Sequence, residues 1–260
     1  MTTKKAYFTI TAGRTGTAWL ADFLSKNLDI DCVHEPLDIE DFGVNMPDIK
    51  TMRAFNTYGN CDIVKAFWKR KLDNIPADKV YGETNHTLAK CGLLENLAER
   101  DMAGRTTIMI LRRNKVKQCV SYLVRNDFAN VASEWQWYLA PSYRRKIIDP
   151  TPFFEFGQAG IAIWYCFEMD ARQVYYKRLY SSKMKFIEAE LEELATHDGA
   201  AKFWHGIGGD GDCILPPRRN QNTNQPTPEL VAQVTELVQS VSYDGNGLVE
   251  KFISEGNSLG

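Results

Sequence analysis

Near its start the chain reads Ala12-Gly13-Arg14-Thr15-Gly16-Thr17-Ala18-Trp19-Leu20. Placed between a strand and a helix, a glycine turn of this kind aims unpaired backbone N–H groups and the positive end of the helix dipole at one point, where an anion can sit. Arg14 adds a fixed positive charge, and Thr15 and Thr17 add hydroxyl donors. The spacing G-x-x-x-x-G-K-[ST] is absent because no Lys follows Gly16, and so is G-x-G-x-x-G, which argues against a dinucleotide fingerprint. A second group lies about a hundred residues on: Arg112-Arg113-Asn114, with Ser121 eight residues past Arg113. A guanidinium that can bind bidentately, beside a short hydroxyl donor, suits a phosphate monoester. Each group also has a plainer reading. Gly13 and Gly16 would make only a tight turn, Arg112 and Arg113 would be solvated charges, and Ser121 would be a helix-surface residue.

Regular elements must bring these two groups together. Ala6 to Thr11 reads as a strand, Ala12 to Gly16 as the turn, and Thr17 to Leu28 as a helix whose apolar face is Trp19, Leu20, Phe23, Leu24 and Leu28. A second strand is expected at Ile30 to His34, closed by Glu35-Pro36, and a third at Lys79 to Glu83, followed by a helical segment from Leu88 to Arg100. Thr106 to Leu111 is an apolar run typical of a strand buried on both faces, and Lys115 to Asn126 reads as a helix with Val116, Cys119, Val120, Leu123 and Val124 on one side. Farther on, Gln158 to Tyr180 reads as a long amphipathic helix, Met184 to Ala189 as a last strand with a helix near Leu191, and 213–228 as a polar loop. The final helix begins at Pro228 with Thr227 as its cap. Alternating strands and helices predict an α/β fold, a parallel sheet flanked by helices, with ligands at the carboxyl ends of the strands. With neither a repeat nor a linker in view, one domain over residues 1–260 is expected.

Composition narrows the field further. With 44% hydrophobic and 25% charged residues, the 260-residue chain can bury a substantial core, and disordered or collagen-like classes are excluded. The formal net charge of −2 gives no general attraction to nucleic acid or an anionic membrane. Any polyanion site must therefore be local. Residues 1–21, 102–126 and 213–228 hold eleven Lys and Arg and no acid, and these segments include both chemical groups. The longest apolar run, Ile161 to Phe167, is far short of a membrane span, and the start of the chain shows no signal peptide, so a cytoplasmic location is expected. Six scattered cysteines without a C-x-x-C pair fit reduced, mostly buried thiols, and the four histidines show no metal-ligand spacing, so no metal is expected.

Taken together, the two groups resemble the sulfotransferases that use 3′-phosphoadenosine-5′-phosphosulfate (PAPS). The family's first motif, [KR]-x-G-T-[TS]-x-[LF], is matched by Arg14-Thr15-Gly16-Thr17-Ala18-Trp19-Leu20 with one departure, Ala18 where a hydroxyl is common. Its second motif, an Arg closing a strand with a Ser about eight residues on, is matched by Arg113 and Ser121. His34-Glu35-Pro36 and Tyr81-Gly82-Glu83-Thr84-Asn85 look like the connecting segments of bacterial and Golgi-type members. The resemblance spans residues 6 to 125 and is faint beyond. It implies a P-loop-NTPase-like sulfotransferase fold and in-line transfer of a sulfuryl group to a hydroxyl or amine of a small polar acceptor such as a natural product, sugar or amine. Gly13, Arg14, Thr15, Gly16, Thr17 and Ala18 would hold the 5′-phosphosulfate, Arg113 and Ser121 would clamp the 3′-phosphate, and the desulfated nucleotide (PAP) would be the product.

A base for the acceptor proton is also required. Glu35, just past the second strand, is the preferred candidate, and His86, three residues after Glu83, is the second; His34 and Glu83 stand further out. A plainer role for Glu35 is an ion pair with Arg14 or a helix cap. Arg219, in Pro217-Arg218-Arg219-Asn220, is a candidate for contact with the nucleotide or else part of a solvated loop. Trp135, Trp137 and Tyr138 have helical spacing and read first as core packing, second as an acceptor wall or an adenine stack. His197 and His205 carry no expected role. Two other functions remain open: a nucleotide-dependent small-molecule kinase, which would need the missing Lys and a Mg²⁺ carboxylate, and a non-catalytic nucleotide-binding module.

Overall fold

The computed structural model describes residues 4–36, 38–128, 137–217 and 224–260. Its centre is a five-stranded, wholly parallel sheet in the order β2-β3-β1-β4-β5, formed by β1 (Ala6–Ile10), β2 (Val33–His34), β3 (Tyr81–Thr84), β4 (Thr106–Arg112) and β5 (Lys185–Glu190). The α/β class and parallel sheet expected from the strand–helix alternation are therefore present. Side chains alternate across the sheet with period two. Phe8, Ile10, Ile108 and Ile110 face one apolar core, while Tyr7, Met109 and Leu111 face the other.

The first core is roofed by α2 (Ile49–Tyr58), α3 (Asp62–Asp73), α4 (Leu93–Leu97), α5 (Lys115–Val124), α6 (Gly157–Tyr180), α9 (Pro228–Ser240) and α10 (Gly245–Ser254). The second is covered by α1 (Thr17–Leu28) and α8 (His197–Ile207), through Leu20, Phe23, Phe203 and Trp204. Full burial of a side chain such as Phe23 contributes about 1.5–3 kcal/mol. Strands β1 and β4 are neighbours, yet the helices that follow them, α1 and α5, leave to opposite faces. This divergence opens a crevice at the carboxyl edge of the sheet.

Several boundaries differ from the expectation for local physical reasons. β2 is only two residues long because the Ile30 and Cys32 amides bond to the Ser25 carbonyl and hydroxyl at the end of α1 instead of to a strand. The helix expected over 88–100 is broken at Gly92, whose φ of 85° is left-handed and whose Cα lies so close to α3 that a Cβ would fall 2.8 Å from Val64. α6 has the expected span but is buried nearly all round, and the charges in its middle are paired: Arg172 with Glu168 at 2.8 Å, and Asp170 with Lys115 at 2.8 Å. Thr227 caps α9 as expected, accepting from the Leu230 amide at 3.2 Å. Among the described residues all six cysteines are free thiols, five of them buried. No helix among those residues is long and apolar enough to cross a membrane.

Candidate active site

All five strands deliver residues to one edge. The loop after β1 carries Gly13 to Gly16, β2 leads to Glu35, β3 to His86, β4 to Arg113, and β5 to Glu192 on the short helix α7 (Leu191–Leu194). A cleft of about 940 Å³ opens there, lined among others by Gly13, Arg14, Gly16, Thr17, Ala18, His34, Glu35, His86, Arg113 and Ser121. Residues that are about a hundred positions apart in sequence are thus brought together.

The loop after β1 has a run of left-handed residues, with φ of 98° at Gly13, 55° at Arg14 and 87° at Gly16. Successive backbone N–H groups in such a conformation form an anion-binding concavity. The strain at Arg14 is held by its surroundings. Its Nε donates to Ser121 Oγ at 3.1 Å, and its carbonyl accepts from Arg113 Nη1 at 3.0 Å. The Gly13 carbonyl accepts from Gln118 Nε2 at 2.8 Å, and the Ala12 carbonyl from the hydroxyls of Tyr122 (2.8 Å) and Tyr165 (2.7 Å). The loop's carbonyls are therefore turned into α5 and α6.

Two residues of the loop are placed differently from one another. Thr17 opens α1 and lines the cleft, whereas the Thr15 hydroxyl lies 2.6 Å from that of buried Thr11, which donates to the Leu111 carbonyl. The Thr15 side chain thus braces the loop from behind. The two arginines closing β4 also separate. Arg112 turns to Gln173 and Glu188 on α6 and β5, while Arg113 turns into the cleft, its buried Nε without a hydrogen bond among the described residues and 3.9 Å from Glu192. Lys117 reaches the same carboxylate at 3.8 Å.

The two candidate bases touch each other: His86 Nδ1 lies 2.9 Å from Glu35 Oε1. The ion pair considered for Glu35 is therefore made with His86, not with Arg14. Burial would raise the Glu35 carboxyl, but His86, through its charge and hydrogen bond, and His34 hold it well below the usual range. Burial and the Lys90 charge push His86 below its ordinary value against the opposing pull of Glu35. With Glu35 ionised, Nδ1 donates the hydrogen bond and the lone pair resides on Nε2, a buried atom with no hydrogen-bond partner among the described residues. Glu35 itself sits at φ 42°. Glu83 is no part of the cleft, being fully buried and paired with Lys71 at 2.8 Å and with the Tyr81 hydroxyl.

Trp137 and Tyr138 lie in a bend and line the cleft beside Glu35, His86 and Met46, so the helical face expected for them is not what they form. Trp137 packs on Phe42 at 5.3 Å and Tyr138 on His86 at 6.0 Å. On the far side of the loop Trp19 donates to the Pro216 carbonyl, and Leu215, Pro216 and Asn224 complete the rim. Trp135, Arg218 and Arg219 lie outside the described residues. His197 is exposed on α8, and His205 does not line the cleft. Sequence reasoning passed over Lys90, Met46, Glu192 and Val231; only Glu192 carried a signal, an acid just past the last strand. Among the described residues no group of three His, Cys, Asp or Glu side chains converges as a metal site would.

No family model matches the chain, and no curated protein does. Among solved structures, a sulfotransferase from Alicyclobacillus acidocaldarius is similar to it with a TM-score of 0.48 and 16% sequence identity, covering 96% of each chain.

Proposed function

We propose that this chain is a PAPS-dependent sulfotransferase acting on a hydroxyl or amine of a small acceptor, and that its 260 residues form one domain. The observation carrying this reading is the convergence of Arg14, Arg113 and Ser121 on one cleft, with Arg14 Nε 3.1 Å from Ser121 Oγ and Arg113 Nη1 3.0 Å from the Arg14 carbonyl. A nucleotide with two separate phosphate groups needs two anion sites held in fixed relation, and this loop and helix supply both. Arg113 Nε, buried and without a hydrogen bond among the described residues, is a donor placed for such a ligand.

When bound, the donor supplies a sulfuryl group whose bond to the phosphate oxygen breaks as the acceptor oxygen or nitrogen bonds to sulfur. The N–H groups of the loop and the Arg14 guanidinium stabilise charge developing on the leaving oxygen. Arg113 and Ser121 hold the 3′-phosphate. His86 takes the acceptor proton at Nε2, and Glu35 fixes its tautomer and stabilises the resulting imidazolium. Glu35, ranked first as the base from sequence, becomes the partner of the residue ranked second. Met46, Trp137 and Tyr138 beside this pair form the acceptor wall.

Calorimetry with PAP tests the reading, followed by incubation with radiolabelled donor and a panel of phenols, amines and sugars. Micromolar PAP binding without Mg²⁺ is the expected result. In Glu35→Gln, turnover should fall by at least about a hundredfold while PAP affinity stays within a factor of three. Absence of PAP binding, or tight binding of ATP with Mg²⁺ instead, overturns it.

A further inference from the structure

Behind the acceptor wall lies a charge for which the proposed reaction has no direct use. Lys90 ends the short turn after β3, four residues past His86, and is fully buried. A lone ammonium in such a place is unfavourable unless it is fully engaged. Its Nζ donates to the Trp137 carbonyl and to the Tyr165 hydroxyl at 2.9 Å, and it stands 5.4 Å from the ring centres of both Tyr138 and Tyr165. Aromatic faces at that range attract a cation. The Tyr138 ring is thus flanked by Lys90 and, at 6.0 Å, by the His86 imidazole, while the Tyr165 hydroxyl passes the connection on to the Ala12 carbonyl of the phosphate loop. One buried cation contacts the acceptor wall, the neighbourhood of the base and the support of the donor loop.

We propose that Lys90 is a positioning residue of this site: it fixes the Trp137–Tyr138 wall against His86 and ties that wall, through Tyr165, to the loop after β1. The proposal rests on the sulfotransferase reading for its catalytic meaning, but its physical content can be tested separately. The groups bearing on His86 are Glu35 and His34 from the β2 side, Lys90 from its own turn, and Tyr138 from the bend, while the Tyr122 hydroxyl of α5 lies beyond Gly13. Burial brings Lys90 itself down to about 7, and in its charged form it opposes protonation of His86. Its removal therefore eases protonation of the imidazole.

The histidine side chains can be followed by NMR during a pH titration, with only four in the chain and His86→Gln to assign the resonance. Lys90→Met should raise the His86 midpoint by about half a unit or more, and Lys90→Arg, which keeps the charge, should restore the native midpoint. A folded Lys90→Met chain with an unchanged midpoint overturns the proposal. Tyr165→Phe removes one oxygen and serves as the second variant should Lys90→Met fail to fold. PAP affinity, by calorimetry, should fall at least threefold, and an unchanged affinity overturns the tie to the loop. If the wild-type chain fails to bind PAP, the sulfotransferase reading falls, while the His86 titration still decides the role of Lys90.

Discussion

Buried charge in this chain is of two kinds, and they respond differently to pH. Lys71 with Glu83 and Arg172 with Glu168 are closed pairs, in which loss of one partner would strand the other at a cost of about 3–5 kcal/mol. Glu95 on α4 has no such partner. Its carboxylate is buried, and burial pushes its carboxyl from 4.5 up to about 7 despite partial relief from Arg172, the Tyr176 hydroxyl and Arg145. Between those two values the native chain holds a proton that the unfolded chain has lost, so stability falls as pH rises through that window and stays lowered above it. Glu95→Gln mimics the protonated form. Urea denaturation should give equal stability for wild type and variant near pH 4, and a variant more stable by roughly 3 kcal/mol at pH 8. A variant no more stable than wild type at pH 8 would refute the assignment. Glu35 and His86 act in the opposite sense: both native values are lowered, so their contribution is present above the unfolded values and is lost as pH falls. For the proposed reaction the acid limb of the rate should accordingly lie below the ordinary histidine range.

At the level of elements, the loop after β1 is held from both sides, by α5 and α6 on one and by α7 on the other. Gly16 sits at φ 87°, and a Cβ there would lie 2.5 Å from Leu191 Cδ1. Leucine can turn aside, but the left-handed backbone cannot be relieved, at about 1–2 kcal/mol for a residue with a Cβ. Gly16→Ala should therefore lower stability by that amount and weaken PAP binding at least tenfold, measured by denaturation and calorimetry; unaltered PAP affinity would show that the loop does not form the donor site. This loop was legible in the sequence because its glycines, its following helix and its strand are local features. So were the positions of the strands along the chain, since apolar runs bounded by Gly and Arg are also local; their order in the sheet was not. The pairing of Glu35 with His86 was not legible, because it depends on β2 and β3 being neighbours, with the two residues 51 positions apart in sequence. α2 and α3 were not assigned from sequence although about half of their residues are apolar, and Lys90 was missed because a lysine in a short turn reads as surface until its burial is seen.

Across the whole molecule, the charge that composition averages to −2 is divided by the sheet. Lys4, Lys5 and Arg105 flank the amino ends of β1 and β4, away from the cleft, so the basic segments singled out in sequence do not all serve one site. Among the described residues the cleft itself is lined by Arg14, Arg113, Lys117 and Arg125 against Glu35 and Glu192. Its walls come from positions 13 to 231, drawing on every strand and on both faces of the sheet. A ligand bound there restrains the entire chain, so its binding energy appears as global stability. If the chain is one folding unit, calorimetric melting should show a single transition, displaced upward as a whole by PAP. At a hundred times its dissociation constant a ligand adds about 2.7 kcal/mol, which for a chain of this size corresponds to roughly 5–10 °C. Arg113→Met should abolish most of that displacement at the same PAP concentration while leaving the ligand-free transition within about two degrees. Two separable transitions, only one of them moved by PAP, would instead divide the chain into independent parts and confine the site to one of them.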